Sequence, residues 1–111
     1  MATLLQEMER ERLGRRERLR AEVRLRLRQA LGQLLPGRRV ILFGSIAKAS
    51  RFSETSDIDL ALDYEPAGMS VYRLTSLLAE RMGRRVDVVL LPESRLREKI
   101  LREGETWTLP A

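Results

Sequence analysis

Five residues in the middle of the chain have the types and spacing needed for phosphoryl chemistry. Gly44 and Ser45 directly follow a run of four apolar residues, and after eleven more residues come Asp57 and Asp59, with one isoleucine between them. Asp87 stands alone in the later segment Val-Asp-Val-Val-Leu-Leu. Aspartate is disfavoured in β-strands. Its repeated placement in segments that otherwise resemble strands therefore indicates a chemical role.

The three aspartates are candidate ligands of a divalent cation. Side chains two residues apart on a strand point to the same face, so Asp57 and Asp59 should share one. If the segment containing Asp87 forms the neighbouring strand, a third carboxylate joins them. Clustered carboxylates disfavour one another's ionised form, whereas Mg²⁺ or Mn²⁺ prefers oxygen ligands. The pattern predicts a two-ion site, with the ions about 4 Å apart.

Gly44 and Ser45 are candidates for holding phosphate. Glycine lets the backbone approach a ligand closely, and the first turn of a following helix offers free N–H groups and a positive dipole end. Lys48 and Arg51, in the adjoining loop, could neutralise a triphosphate.

Each of these features also has an ordinary structural explanation. A Gly-Ser pair can be a simple turn, an Asp-x-Asp pair a solvated strand end, and Lys48 and Arg51 surface charges. Asp87 could form a structural salt bridge with Arg84, Arg85 or Arg51. The chemical interpretation depends on the order in which all the features occur together.

The surrounding elements predict an α/β (α+β) fold, a small mixed sheet with flanking helices. A long N-terminal helix over residues 3–35 has an apolar stripe that is regular only in its second half. We expect residues 17–35 to pack on the domain and the first turns to project or to meet a partner. Predicted strands span 40–43, 58–62, 86–91 and, at an edge, 107–109; predicted helices span 46–50, 71–82 with Ser70 as cap and Gly83 as stop, and 94–103 with Ser94 as cap.

Composition limits the possible chemistry. The chain has 111 residues, 43% of them hydrophobic, which suffices for one small globular domain. It contains no cysteine and no histidine, which excludes disulfides, a thiol nucleophile, a Cys/His zinc site and a Ser-His-Asp triad. No segment resembles a membrane span or a signal peptide, so a cytoplasmic protein is expected.

The net charge of +5 is unevenly distributed. Residues 1–39 contain 11 Arg and 5 Glu, whereas residues 40–111 contain 10 Lys or Arg and 11 Asp or Glu. The basic segment could be a surface for nucleic acid or an acidic partner, or a solvated helix face. Glutamates interleave with the arginines and no aromatic residues accompany them, so direct nucleic-acid binding is not expected.

The combined pattern resembles the polymerase-β-type nucleotidyltransferase superfamily and, more narrowly, its minimal nucleotidyltransferases. The resemblance rests on Gly44-Ser45, the Asp57-x-Asp59 pair and Asp87, and covers about residues 30–108; the tail LREKILREGETW adds to it. This chain departs from the family pattern in two ways. Its loop between Ser45 and Asp57 is one residue longer than the commonest spacing, and Ile46 and Ala49 differ in type from the residues usual at those positions. The resemblance implies a polymerase-β-like palm over residues 36–111, preceded by the helix over 1–35.

The resemblance also implies roles for the motif residues. Asp57 and Asp59 would hold two Mg²⁺ ions, with Mn²⁺ as an alternative, and Asp87 would complete the metal site and help deprotonate an acceptor hydroxyl. Gly44 and Ser45 would hold the β- and γ-phosphates of ATP. Lys48 matches a position that is usually basic in the family.

Larger members of the superfamily that this pattern resembles carry a further domain that binds the acceptor, and we expect none in this chain. Minimal nucleotidyltransferases of this kind commonly pair with a HEPN-domain toxin, to which they transfer AMP as the antitoxin. We take this as the leading hypothesis. Two alternatives remain: a homodimer acting on a small molecule, and a non-catalytic antitoxin that silences its partner by occlusion.

Overall fold

The computed structural model describes all residues, 1–111, as three α-helices and a four-stranded sheet. The elements are α1 Leu4–Leu34, β1 Arg39–Phe43, β2 Ile58–Leu62, α2 Val71–Met82, β3 Val86–Leu90, α3 Arg97–Glu103 and β4 Glu105–Thr108, with short 3₁₀ turns at Gly44–Ala47 and Leu91–Glu93. The strand order is β3-β2-β1-β4. β1 runs antiparallel to β2 and β4, while β2 and β3 are parallel. The predicted small mixed sheet with flanking helices is confirmed.

The main core lies between one face of the sheet and the two longer helices. Alternation along β2 points Ile58, Leu60 and Leu62 into this core, where each is at most 1% exposed. The second half of α1 and one side of α2 cover them with Val23, Leu27, Ala30, Leu31, Leu74, Leu78 and Met82. α2 begins and ends as predicted, because the Ser70 hydroxyl accepts a hydrogen bond from the Arg73 N–H at 3.0 Å and Gly83 adopts a positive φ of 65°.

The opposite face of the sheet is covered over only part of its area, and this leaves space for a site. Ala61, Leu91 and Ile100 form a small buried cluster beneath α3. At Gly104 a Cβ would lie 2.5 Å from Cγ2 of Ile41, so the missing side chain lets the end of α3 approach β1 closely. Beyond α3 the same face carries Asp59 and Asp87.

Several predicted boundaries differ from the structure. The helix expected over 46–50 is a 3₁₀ turn over Gly44–Ala47, with positive φ values at Gly44 (71°) and at Ser50 (65°), a conformation an α-helix cannot include. The last helix starts at Arg97, because Ser94 forms a tight turn in which its hydroxyl accepts from the Leu96 N–H at 3.1 Å. The third strand ends at Leu90, and the edge strand spans Glu105–Thr108.

The first half of α1 extends away from the core. Leu4, Leu5 and Met8 are more than half exposed, and the molecule measures 57 Å along its longest axis against 28 and 22 Å along the others. The helix start is well defined, since the Thr3 hydroxyl accepts from the Gln6 N–H while the Gln6 side chain accepts from the Thr3 N–H. None of the helices combines the length and the apolar content of a membrane span.

Candidate active site

The parallel pairing of β2 and β3 brings the acidic residues together. Its register places Asp59 directly beside Asp87, and on its other side Asp59 faces Phe43 of β1. Asp57 lies one residue before β2. All three aspartates therefore lie near the beginnings of two neighbouring strands. This proximity follows from the alternating pattern that the sequence displays.

A guanidinium lies between two of these carboxylates. Nε of Arg85 is 3.8 Å from Oδ2 of Asp57 and 3.6 Å from Oδ1 of Asp87. The side chains of Asp57 and Asp87 are 41% and 43% exposed, and that of Arg85 is 74% exposed. The acidic cluster thus has one positively charged partner, held loosely at its solvent side.

The surroundings of Asp59 disfavour its ionised form. Partial burial raises the pKa of its carboxyl above the ordinary 3.8, the neighbouring charges of Asp87 and Asp57 raise it further, and Arg85 partly opposes them. The ionised form of Asp59 therefore lacks sufficient positive charge around it. A bound cation would supply that charge.

These residues have the right ligand types for a metal ion, but their side chains are not yet placed around one point. Carboxylate oxygens from Asp57, Asp59 and Asp87 are suitable ligands for Mg²⁺ or Mn²⁺, and the strand register places Asp59 directly beside Asp87. No group of three acidic side chains surrounds a common point closely enough to hold an ion as the side chains stand. Side-chain rotation and movement of Arg85 would be required.

Gly44, the residue that follows β1, contacts this cluster. It begins the 3₁₀ turn with a φ of 71°, in the left-handed region. A Cβ added at Gly44 would collide with Oδ2 of Asp59 and lie 3.3 Å from its Cγ. Glycine is needed here for backbone conformation and for space. The turn and the acidic cluster are thus parts of one site.

A cavity of about 290 Å³ opens beside Gly44 and Asp59. Lys48 and Lys99, the only lysines of the chain, line it together with Glu103. Nζ of Lys48 lies 3.1 Å from Oε1 of Glu103 and lowers the pKa of that carboxyl. The remaining lining residues are Phe43, Leu96 and Ile100.

The structure brings some of the predicted phosphate-binding residues together and not others. Gly44 and Lys48 line this cavity, whereas Ser45 and Arg51 do not. Ser45 is half-buried in the turn, and its carbonyl accepts from the Lys48 N–H at 3.1 Å. Arg51 is exposed, and its side chain makes no hydrogen bond or salt bridge.

Side chains of helix α1 form hydrogen bonds with the segment 46–50, which includes the end of the 3₁₀ turn. The Ile46 carbonyl accepts from Nε of Arg20 at 3.0 Å and from Nη1 of Arg24 at 3.2 Å. Arg24 also donates to Glu105 at 2.6 Å, and the Glu17 carboxylate accepts from the Ser50 N–H. The two ends of the segment 46–50 are therefore tied to one face of α1.

Sequence reasoning did not identify Lys99, Glu103 or the α1 arginines as neighbours of the site. A usable signal existed for the first two, since Lys99 and Glu103 lie four residues apart on one side of a short helix in the tail segment that the resemblance includes. The sequence suggests Arg85 only as a structural partner of Asp87. The long-range contacts of Arg20 and Arg24 had no sequence signal.

Comparison with known proteins supports the assignment of the fold. A chain in a solved structure, described as "Crystal structure of the toxin-antitoxin with AMP-PNP", matches with a TM-score of 0.58 and 24% identity over 75% of this chain and 71% of that one. Comparison with curated proteins by sequence found no match. The family model "Polymerase beta, Nucleotidyltransferase" matches residues 36–107, well over half of the chain and including all seven predicted site residues. The chain therefore belongs to the polymerase beta nucleotidyltransferase family.

Proposed function

We propose that this chain is a metal-dependent nucleotidyltransferase that transfers AMP from ATP to a hydroxyl of a partner protein. The observation that carries the proposal is the contact of Gly44 with Asp59, beside Asp87 on the neighbouring strand. It joins a backbone turn suited to phosphate to a group of carboxylates suited to divalent cations. Phosphate and metal ligands side by side are the requirements of nucleotidyl transfer.

In this proposal Asp57, Asp59 and Asp87 would hold two Mg²⁺ ions, which when bound would supply positive charge to the phosphates and to the attacking oxygen. Asp87 would take the proton of the acceptor hydroxyl. The acceptor oxygen would form a bond to the α-phosphorus while the bond from that phosphorus to the bridging oxygen breaks, and pyrophosphate would leave with the electron pair.

The remaining motif residues would hold the leaving group. Gly44 and Ser45 would present backbone N–H groups to the β- and γ-phosphates, since the first N–H groups of a helical turn have no helical acceptor. Lys48 supports this assignment through its place in the cavity beside Gly44, where its ammonium could exchange Glu103 for a phosphate oxygen.

A protein acceptor is supported by two features. The chain resembles in fold a chain of a toxin-antitoxin crystallised with AMP-PNP. The first half of α1 also exposes Leu4, Leu5 and Met8 on a helix whose second half packs one face against the core. Grouped exposed apolar side chains of this kind are suited to contact with another chain. We propose a HEPN-type toxin as this partner and an antitoxin role for the present chain.

The test is transfer of label. The purified chain is incubated with Mg²⁺, with ATP labelled in the α-phosphate and with the protein encoded by the adjacent gene. We expect label on the neighbour, lost when EDTA is added or when Asp57→Ala and Asp59→Ala are combined. A neighbour that stays unlabelled while it forms a stable complex with the chain would overturn AMP transfer.

Occlusion is a second candidate, because the three carboxylates do not surround a common point. A binding antitoxin would need the partner-contacting surface and not the acidic cluster. The combined Asp57→Ala and Asp59→Ala variant separates the two functions. Retained neutralisation of the partner by this variant favours occlusion, and lost neutralisation with retained binding favours catalysis.

A further inference from the structure

Two adjacent arginines at the start of β3 have different surroundings. Nη1 of Arg84 donates to the carbonyls of Ser53 and Ser56 at 3.3 and 2.9 Å, and its guanidinium stacks on the Phe52 ring at 4.7 Å. Arg84 therefore has a structural role in the loop before Asp57. Arg85 makes no side-chain hydrogen bond, and its guanidinium has only carboxylates as near partners.

The backbone of Arg85 is nevertheless fixed beside the acidic cluster. Its carbonyl accepts from the N–H of Ile58 at 3.0 Å, which joins the residue to the first position of β2. The side chain is 74% exposed. The anchored backbone and free side chain keep one positive charge near Asp57 and Asp87 without locking it in place.

The contacts of Arg85 are of the kind that a stronger cation can replace. Distances of 3.6 and 3.8 Å from Nε to the carboxylates are ion pairs without hydrogen bonds. Exposed pairs of this type contribute little individually, and arginine cannot relieve the competition by losing its proton. A divalent ion brings twice the charge and direct oxygen coordination.

We propose that Arg85 is the resident counter-ion of Asp57 and Asp87, which a divalent cation must displace in order to bind. This inference rests on the proposed function, because it concerns the metal site assigned there. Arg85 acts by occupying the space between the two carboxylates and by weakening the attraction of the cluster for an incoming ion. It thereby sets the metal concentration at which the site fills, as a positioning residue that takes no part in the reaction.

The test is metal binding in the absence of nucleotide. Mg²⁺ and Mn²⁺ are titrated by calorimetry into the wild type, Arg85→Gln and Arg73→Gln. Arg73 is an exposed residue of α2 without a side-chain partner, so its replacement removes the same net charge at a position without an acidic cluster. We expect Arg85→Gln to bind either ion roughly two- to fivefold more tightly than the wild type, with no change for Arg73→Gln.

Thermal unfolding provides a second readout that does not depend on activity. Added Mg²⁺ should raise the Tm of Arg85→Gln more than that of the wild type. Equal affinity in the wild type and Arg85→Gln, or equal tightening in both variants, would overturn the role of Arg85 and leave the proposed enzyme intact. Absence of binding in all three proteins would overturn the metal site and this inference together, whereas binding by Arg85→Gln alone would support both.

Discussion

Gly44 lies directly against the carboxylate of Asp59, and a methyl group at position 44 would collide with Oδ2 of that side chain. The turn expected to hold phosphate and an acidic residue whose surroundings disfavour its ionised form therefore share a contact. Neither can move without affecting the other.

Gly44→Ala should displace Asp59 as well as strain the backbone. The positive φ alone costs about 1–2 kcal/mol for a non-glycine residue, and displacement of a reacting group can lower the rate by about 100-fold. Nucleotide transfer and thermal unfolding measure the two effects. Gly68→Ala is the matched control, since Gly68 has a φ of 72° with no atom within 4 Å of the added Cβ. Equal activity in the two variants would contradict the contact.

Asp59→Asn should stabilise the protein in the absence of divalent ions at neutral pH. The pKa of Asp59 is raised in the folded state, so the folded protein holds this proton more tightly than the unfolded chain and loses stability as the carboxyl ionises. Removing the charge removes that cost, and the gain should disappear as pH falls below the ordinary pKa of 3.8.

Thermal unfolding with EDTA at several pH values measures the effect of Asp59→Asn. Asp63→Asn is the control, because Asp63 has Arg39 as a partner at 3.3 Å and should gain nothing from losing its charge. A variant at position 59 that is less stable than the wild type at pH 7 would contradict the electrostatic account.

Protonation of Glu105 in acid should remove part of the protein's stability. The hydrogen bond from Arg24 and that from the Trp107 indole lower the pKa of this carboxyl below 4.5. Its contribution is fully present above 4.5 and is lost as pH falls through the lowered folded value. We expect at most about 1 kcal/mol, because the pair is partly exposed. Urea unfolding between pH 3 and pH 6 should show a smaller loss in Glu105→Gln, and parallel curves would refute this.

Lys48→Gln should weaken ATP binding more than Arg51→Gln does. Both residues were predicted from the sequence to neutralise a triphosphate, but only Lys48 lines the cavity beside Gly44. Loss of one charge-assisted contact should reduce affinity roughly five- to tenfold. Equilibrium binding of a fluorescent ATP analogue measures both variants. An effect at Arg51 as large as that at Lys48 would show that the loop closes over the nucleotide.

Much of the site could be predicted because it depends on local periodicity. Alternation along β2 placed Asp59 on the face opposite Ile58 and Leu60, and the same alternation in β3 placed Asp87. Their juxtaposition required only that the two strands be neighbours, which a short α/β connection favours. The family resemblance extended this interpretation to nucleotide transfer.

The parts that could not be predicted depend on long-range contacts or on weak local preferences. No periodic sequence pattern indicates that Arg85 lies between two carboxylates. Exposed arginines are common in this arginine-rich chain. Residues Gly44–Ala47 form a 3₁₀ turn instead of an α-helix, with positive φ values at Gly44 and Ser50. A serine in the sequence gives no signal that its φ will be positive. The start of α3 shifted by three residues because Ser94 caps a turn instead of the helix.

Arg20 and Arg24 both donate hydrogen bonds to the Ile46 carbonyl, within the turn that contains the Gly-Ser motif. These arginines belong to α1, which precedes the residues that match the family model. The shape of the Gly44–Ala47 loop therefore depends on a segment outside the conventional catalytic unit. Displacement of α1 would remove these two hydrogen bonds and so release the turn that lies against Asp59.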